Sequence, residues 1–380
     1  MYEPNAGKFF HIGTDDYYKL TTGATLLDLE SLRIFYQGTD VKPRDIRTVK
    51  LAVTKPERPV LSAPLKVFLN ITKKCNLFCT HCFNDSGHAS SPEIPKEHLF
   101  TILDSLAARG IFKVTLAGGE PLFHPAFDDL IDKLDASDFF VSIVTNGICV
   151  TDRRAARLGN SRTVRSITIS LDGANAADND AIRGPSSFSK AVLGARRLSK
   201  SFKGDLSLRI TLAQGNIGHV TDYVDLADEL GIREIKVNRI NAYGRAQNSP
   251  NLMIDTKVYE NARDHLARVA SSRGIAVEVP ANKYRREDNG ELGLCRAGEE
   301  TCEIDGDGTL YPCSFTFGRL AAGNLCREPH SAVFSNLRLH TINHPWCYAC
   351  KGRGGNAEKA YGAPPRLVSP TNSLPQGRLT

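Results

Sequence analysis

No stretch of this chain offers the roughly 18 consecutive apolar residues that a membrane-spanning helix requires, so no helical membrane span is expected. No run of five or more basic residues occurs either. The net charge of +6 over 380 residues, with a sequence pI near 8.7, therefore reads as ordinary solvated surface and not as a nucleic-acid track. The opening residues 1–13 lack the basic-then-apolar order of a secretory signal, which points to a cytoplasmic, reducing setting. No segment repeats at a fixed period, so a solenoid is excluded.

What the chain has is enough apolar material for a sizeable core, 41% of residues, and ten cysteines. In a reducing compartment, grouped cysteines bind metal or do redox chemistry more often than they form structural disulfides. Residues 1–60 stand apart as a small N-terminal module, followed by a Pro-containing linker from Lys55 to Pro64. From 65 to 280 short β-branched runs alternate with helical patterns. Strands are expected at Lys66–Asn70, Lys113–Ala117, Phe140–Thr145, Ser166–Leu171, Ser207–Ala213 and Glu234–Asn238. Helices are expected at Pro95–Ala108, Phe127–Leu134, Ser189–Lys200, Thr221–Leu230 and Thr256–Ser272, the first with Leu99, Ile102, Leu103 and Leu106 on one face. The alternation predicts an α/β fold, a partial (β/α)6 barrel of parallel strands, in which ligands sit at the carboxyl ends of the strands. Six of the ten cysteines fall between 295 and 350, where helical periodicity fades. Residues 281–352 therefore read as a small metal-held domain, and residues 353–380, rich in Gly, Pro, Ser and Asn, as a flexible tail.

Just after the first expected strand, Cys75, Cys79 and Cys82 follow a C-x3-C-x2-C spacing. Thiolates favour zinc and iron–sulfur centres. Structural zinc takes four ligands, and no fourth Cys or His follows at zinc-finger spacing. Three ligands suit a four-iron cluster with one iron left open to a small molecule; a zinc knuckle completed from elsewhere in the chain is the alternative.

The spacing, with Asn76 and Leu77 after the first cysteine, resembles the signature of the radical S-adenosylmethionine (SAM) superfamily. The resemblance extends over roughly residues 65–245. It implies that His81 packs against the adenine of SAM, and that Gly118, Gly119 and Glu120 form the turn that meets its amino group. It further implies that Thr145, Asn146, Ser170 and Asp172 line its ribose and methionine side. Arg209 is then the residue that meets the SAM carboxylate, and Asn238 the one that touches adenine through its backbone. Arg183-Gly184 resembles the RG that follows the fourth strand in relatives. The implied cofactors are SAM and a [4Fe-4S] cluster, with an electron donor such as flavodoxin or ferredoxin. The implied chemistry is reductive cleavage of SAM to a 5′-deoxyadenosyl radical, which takes a hydrogen atom from substrate. No side chain is singled out as catalytic in its own right.

Downstream, the turn residues Asp305 to Gly308 suit a β-hairpin that presents Cys313. Cys295, Cys313, Cys347 and Cys350 supply four thiolates, enough to saturate a second four-iron cluster. This resembles the C-terminal twitch or SPASM extension of the superfamily. It departs from the full form because Asn356, not cysteine, follows Gly354-Gly355, so one auxiliary [4Fe-4S] cluster is implied, for electron transfer. Cys302 is an alternative ligand, a zinc ribbon at the same four positions an alternative centre, and Cys149 and Cys326 read as core or surface thiols. The substrate expectation is a ribosomal precursor peptide that is oxidised or cross-linked, with residues 1–60 as its recognition module. The competing expectations are dehydrogenation or epimerisation of a sugar, aminocyclitol or nucleoside, and a non-catalytic iron–sulfur or zinc protein.

Overall fold

The computed structural model describes residues 63–278, 297–298 and 300–343, with side chains to 337 in the last helix, and the backbone of two short strands near the start. Those two, β1 (Tyr2–Glu3) and β2 (Lys8–Phe9), pair antiparallel. Otherwise the expected N-terminal module and C-terminal tail lie outside the described residues, as do Cys295, Cys347 and Cys350.

The described body is built on one ten-stranded sheet. Its strands are β3 (Lys66–Thr72), β4 (Lys113–Gly118), β5 (Phe140–Thr145), β6 (Val164–Ser170), β7 (Asp205–Leu212), β8 (Glu234–Arg239), β9 (Ala276–Glu278), β10 (Thr301–Ile304), β11 (Thr309–Tyr311) and β12 (Gly323–Asn324). The order across the sheet is β12-β11-β10-β3-β4-β5-β6-β7-β8-β9, so that among the described residues the sheet is open, with β12 and β9 at its ends. Every neighbouring pair from β10 to β9 is parallel, while β11 and β12 are antiparallel additions.

Sequence periodicity decides which face is covered. Side chains alternate across a strand, and Val67, Leu69 and Ile71 on β3 are fully buried. The register carries that apolar row sideways through Val114 and Val141, and again through Ile169, Leu208 and Ile235. Helices cover it: α1 (Lys96–Ala108), α2 (Phe127–Asp135), α3 (Asp152–Gly159), α4 (Ala176–Arg183), α5 (Ser187–Ser201), α6 (Val220–Glu229) and α7 (Thr256–Ser272). Leu99, Ile102, Leu103 and Leu106 of α1 pack into this core as their spacing predicts, each stabilising by about 1.5–3 kcal/mol relative to exposure. The opposite face is polar, with Ser142 and Ser166 joined at 2.8 Å and Thr168 and Ser207 at 3.0 Å.

The sequence reading of six parallel strands falls short by two, since β9 and β10 flank the six and make eight. The hairpin expected around Asp305–Gly308 is present between β10 and β11, closed by Asp305 N–H donating to Thr309 O at 2.9 Å. The segment beyond the expected boundary at 280 thus adds its first strand to the same sheet, parallel to β3. The last element is α8 (His330–Asn343). No helix among the described residues is long and apolar enough to cross a membrane.

Candidate active site

The carboxyl ends of β3 to β8 gather the residues singled out by motif. The loop leaving β3 carries Cys75, Cys79 and Cys82, and the end of β4 supports it from beneath. Gly119 N–H donates to Thr72 O at 2.7 Å and Glu120 N–H to Lys74 O at 3.0 Å. Such close approach needs glycine. A Cβ on Gly118 would lie 2.2 Å from Thr72 O, and one on Gly119 would lie 2.2 Å from Lys74 O. Gly118 also has φ +134°, a conformation that only glycine adopts readily.

Glu120 is completely buried, and its carboxylate accepts from Leu122 N–H at 3.0 Å, Thr145 Oγ1 at 2.7 Å and Asn146 N–H at 2.7 Å. Burial pushes its pKa up to about 6, against the pull of those donors. All three contacts are with the protein itself, so the side chain anchors the loop after β5 to the turn after β4. Asn146, held there, donates to Asn76 Oδ1 at 2.7 Å and lies 3.8 Å from Cys75 Sγ. Asn76 in turn donates to Cys149 Sγ at 3.4 Å. Cys149, one of the two thiols left over by motif reasoning, therefore borders the loop.

On the far side Asp172, with no exposed surface, is the hub. Arg183 Nε lies 2.7 Å and His81 Nε2 2.8 Å from Asp172 Oδ2, and Thr211 N–H donates to Oδ1 at 2.8 Å. Burial alone would raise the Asp172 pKa, but Arg183 and His81 hold it well below the usual carboxylate range. His81, whose role was read as packing on adenine, is thus fixed at one ring nitrogen. Asn179 and Asn216, not found by motif, complete the hub: Asn179 Oδ1 accepts from Asp172 N–H at 2.9 Å, and Asn216 donates to Asp172 O at 2.7 Å.

Arg209 on β7 lies beside Ser170 on β6, and Asn238 on β8 pairs with Thr211. Arg209 Nε is shielded from solvent and meets no acceptor among the described residues. Burial draws the guanidinium below its ordinary value, so an anion placed beside it would satisfy both hydrogen bond and charge.

The thiols fit a cluster by the same reasoning. Burial pushes Cys75 up to about 12 and raises Cys79, so thiolates there need a cation beside them. Among the described residues no three His, Cys, Asp or Glu side chains converge closely enough to hold a single metal ion. Three thiolates that each bind a different iron of a cluster need no such convergence. Cys313 begins the short turn after β11, whereas Cys302 is 1% exposed within the hydrophobic core, where it packs as an apolar side chain.

Two further contributors escaped sequence reasoning. Arg245, after β8, donates through Nε to Cys79 O at 2.8 Å and through Nη1 to Ser86 O at 2.7 Å, and its backbone N–H donates to Cys82 O at 3.0 Å. Tyr243 stacks on Phe83 at 5.1 Å between ring centroids. Their signal in the sequence is only a Tyr-Gly-Arg run beyond a strand end.

A fold of parallel strands with a three-cysteine loop at their carboxyl ends, backed by a Gly-Gly-Glu turn, defines a class. Residues 69–230 match the family model described as Radical SAM superfamily. Mycofactocin maturase MftC of Mycobacterium ulcerans is 31% identical over 286 residues, covering 70% of this chain and 73% of that protein. PqqA peptide cyclase of Streptomyces rochei is 27% identical over 283 residues, covering 73% of this chain and 77% of its own. Among solved structures, Streptococcus suis SuiB bound to its precursor peptide SuiA superposes with a TM-score of 0.62 at 16% identity, covering 84% of this chain and 77% of that one. The chain belongs to the radical SAM superfamily of enzymes. Membership implies a [4Fe-4S] cluster and SAM as cofactors.

Proposed function

We propose that this enzyme cleaves SAM reductively and removes a hydrogen atom from a side chain of a ribosomally made precursor peptide, which it oxidises or cross-links. One observation carries the cofactor half of this reading. The loop of Cys75, Cys79 and Cys82 shares the strand ends with Arg209, whose buried Nε has no acceptor among the described residues. Bound together, the cluster and SAM would supply the reducing electron and the hydrogen-abstracting radical chemistry of the family. The chain's own residues do the rest. Cys75, Cys79 and Cys82 would hold the cluster through their thiolates. Arg209 meets the carboxylate of SAM. Gly118 and Gly119, which let the turn after β4 lie against Thr72 and Lys74, would meet the amino group of SAM through their backbone. Asp172 and Arg183 fix the His81 ring for stacking, and Glu120 holds Thr145 and Asn146 in place. Ser170 and the backbone of Asn238 complete the ribose and adenine sides.

Cys295, Cys313, Cys347 and Cys350 supply four thiolates to a twitch or SPASM-like auxiliary [4Fe-4S] cluster for electron transfer, with Cys302 the weaker candidate because it is sealed in the core. The peptide half of the reading is supported by the relatives. Those named as a maturase and a peptide cyclase each match most of this chain, and SuiB shares the fold with a peptide bound. Residues 1–60 serve as the recognition module, and a small acidic carrier such as flavodoxin or ferredoxin donates the electron.

The test is anaerobic reconstitution followed by measurement of 5′-deoxyadenosine with dithionite, first alone and then with candidate precursor peptides. About eight irons per chain, SAM cleavage, and a mass change in one peptide are expected. Turnover of a free sugar or nucleoside with no peptide binding would replace the peptide reading, and absence of 5′-deoxyadenosine would remove both.

A further inference from the structure

The loop between Cys75 and Cys82 has little regular structure of its own; within it Cys82 N–H reaches Cys79 O at 3.2 Å. Something else must therefore hold the three thiols in register, and much of it comes from a segment that no motif marks. Immediately beyond β8, Tyr243, Gly244 and Arg245 lie against the loop. Gly244 has φ +55°, and a Cβ there would sit 2.2 Å from Cys82 O and 2.3 Å from Phe83 O, so the backbones touch without room for any side chain. Arg245 then binds the second half of the loop and the residues just after it. Its N–H takes Cys82 O at 3.0 Å, its Nε takes Cys79 O at 2.8 Å, and its Nη1 takes Ser86 O at 2.7 Å and Asp85 Oδ1 at 2.8 Å. Its guanidinium also lies 3.7 Å over the ring of Phe78, the most exposed large apolar side chain of the described residues. Two cluster-ligand carbonyls are therefore held by one side chain and its own backbone.

The same segment reaches away from the loop. Tyr243 stacks on Phe83, the neighbour of Cys82, with planes 9° apart. Phe315 meets both rings edge-on, at 5.1 Å and 5.3 Å. Tyr243 Oη donates to Phe315 O at 2.7 Å. Phe315 lies two residues beyond Cys313. Offset-stacked and edge-on rings of this kind are worth about 0.5–1.5 kcal/mol a pair beyond their burial, so three such contacts make a stiff joint.

From this we infer that Tyr243, Gly244 and Arg245 are positioning residues that seat the Cys75–Cys82 loop, and that the rings of Phe83, Tyr243 and Phe315 transmit the placement of the Cys313 segment to that loop. The inference rests on the reading of Cys75, Cys79 and Cys82 as cluster ligands, and it deepens that reading by naming what sets their geometry. Arg245 touches neither substrate nor cofactor in this account. It acts through the carbonyls of Cys79 and Cys82, and so would set how the cysteine loop presents a bound cluster.

The experiment uses full-length, anaerobically reconstituted protein and three variants, Arg245→Ala, Tyr243→Leu and Phe315→Ala. Folding is checked by circular dichroism. The readouts are iron content, the electron paramagnetic resonance spectrum of the reduced cluster with and without SAM, and SAM affinity by calorimetry. Removing a charge-assisted hydrogen bond of this sort weakens SAM binding about tenfold, and the shift of the reduced signal on SAM addition changes, while the irons remain. Arg245→Lys, which reaches only one carbonyl at a time, falls between wild type and alanine. Phe315→Ala and Tyr243→Leu alter the same signal in the same sense, although Phe315 lies outside the radical SAM motifs. Should Arg245→Ala fail to fold, Tyr243→Leu and Arg245→Lys carry the test. Wild-type spectra and SAM affinity in both Arg245→Lys and Tyr243→Leu would overturn this inference alone. A wild-type protein that assembles no cluster would take down the ligand reading, and this inference with it.

Discussion

At the scale of single residues, charge in a dry environment decides most outcomes. Asp172 is buried against Arg183 and His81, and removing one partner of a buried pair strands the other. Asp172→Asn is expected to destabilise the protein by about 3–5 kcal/mol in urea unfolding at neutral pH. The pH sign follows from the direction of the shift. The folded-state pKa lies below the ordinary aspartate value, so the contribution is complete above about pH 4 and fades as the pH falls towards the depressed value. Between pH 7 and pH 3 the wild type should therefore lose more stability than the variant; parallel profiles would contradict the pairing. Arg209 is the complementary case, a half-buried cation whose shielded Nε meets no acceptor among the described residues. Arg209→Ala should leave the iron content unchanged while weakening SAM binding by about 10- to 100-fold, as calorimetry reads it. Cys79→Ala should abolish 5′-deoxyadenosine formation, whereas Cys313→Ala should spare part of it and end product formation. Equal effects of those two substitutions would refute the division of labour between the thiols.

At the scale of elements, the sequence was readable where apolar periodicity carries the fold and silent where polar contacts do. The strand expected at Phe140–Thr145 and the helix at Thr256–Ser272 match the structure end to end. By contrast, α3 (Asp152–Gly159) buries only Ala155 and Leu158, and α4 (Ala176–Arg183) buries Asn179 and Arg183 beside Ile182. Neither writes an apolar stripe into the sequence. Both begin on a cap that sequence inspection passes over: Thr151 accepts from Arg154 N–H, and Asn175 from Asp178 N–H. The site divides in the same way. The cysteines, the Gly-Gly-Glu turn and Arg209 are legible through resemblance. Arg245 is not, because its partners are backbone carbonyls that any residue could present. The Gly119 contact offers a test at this scale. A methyl placed 2.2 Å from Lys74 O must push the turn off the cysteine loop. Gly119→Ala should therefore lower the iron incorporated on reconstitution and abolish SAM cleavage, with helix content by circular dichroism preserved.

At the scale of the whole molecule, the separation of tasks is the expectation to examine. Deleting residues 1–60 should remove peptide binding while leaving SAM cleavage by the reconstituted enzyme; loss of both would mean that the N-terminal segment supports the sheet and does not merely recognise substrate. The sheet itself joins distant parts of the chain, since β10 at Thr301–Ile304 lies parallel to β3 at Lys66–Thr72. During synthesis β3 acquires its neighbour on one side early, from β4, but waits more than two hundred residues for the other. Until then its outer row of amides and carbonyls is an unpaired edge, the kind that invites pairing with a second nascent chain. The strand that launches the three-cysteine loop is thus among the last to be closed in. A chain released before residue 301 would be born with that edge open and should collect as aggregates, however sound its cysteine motif.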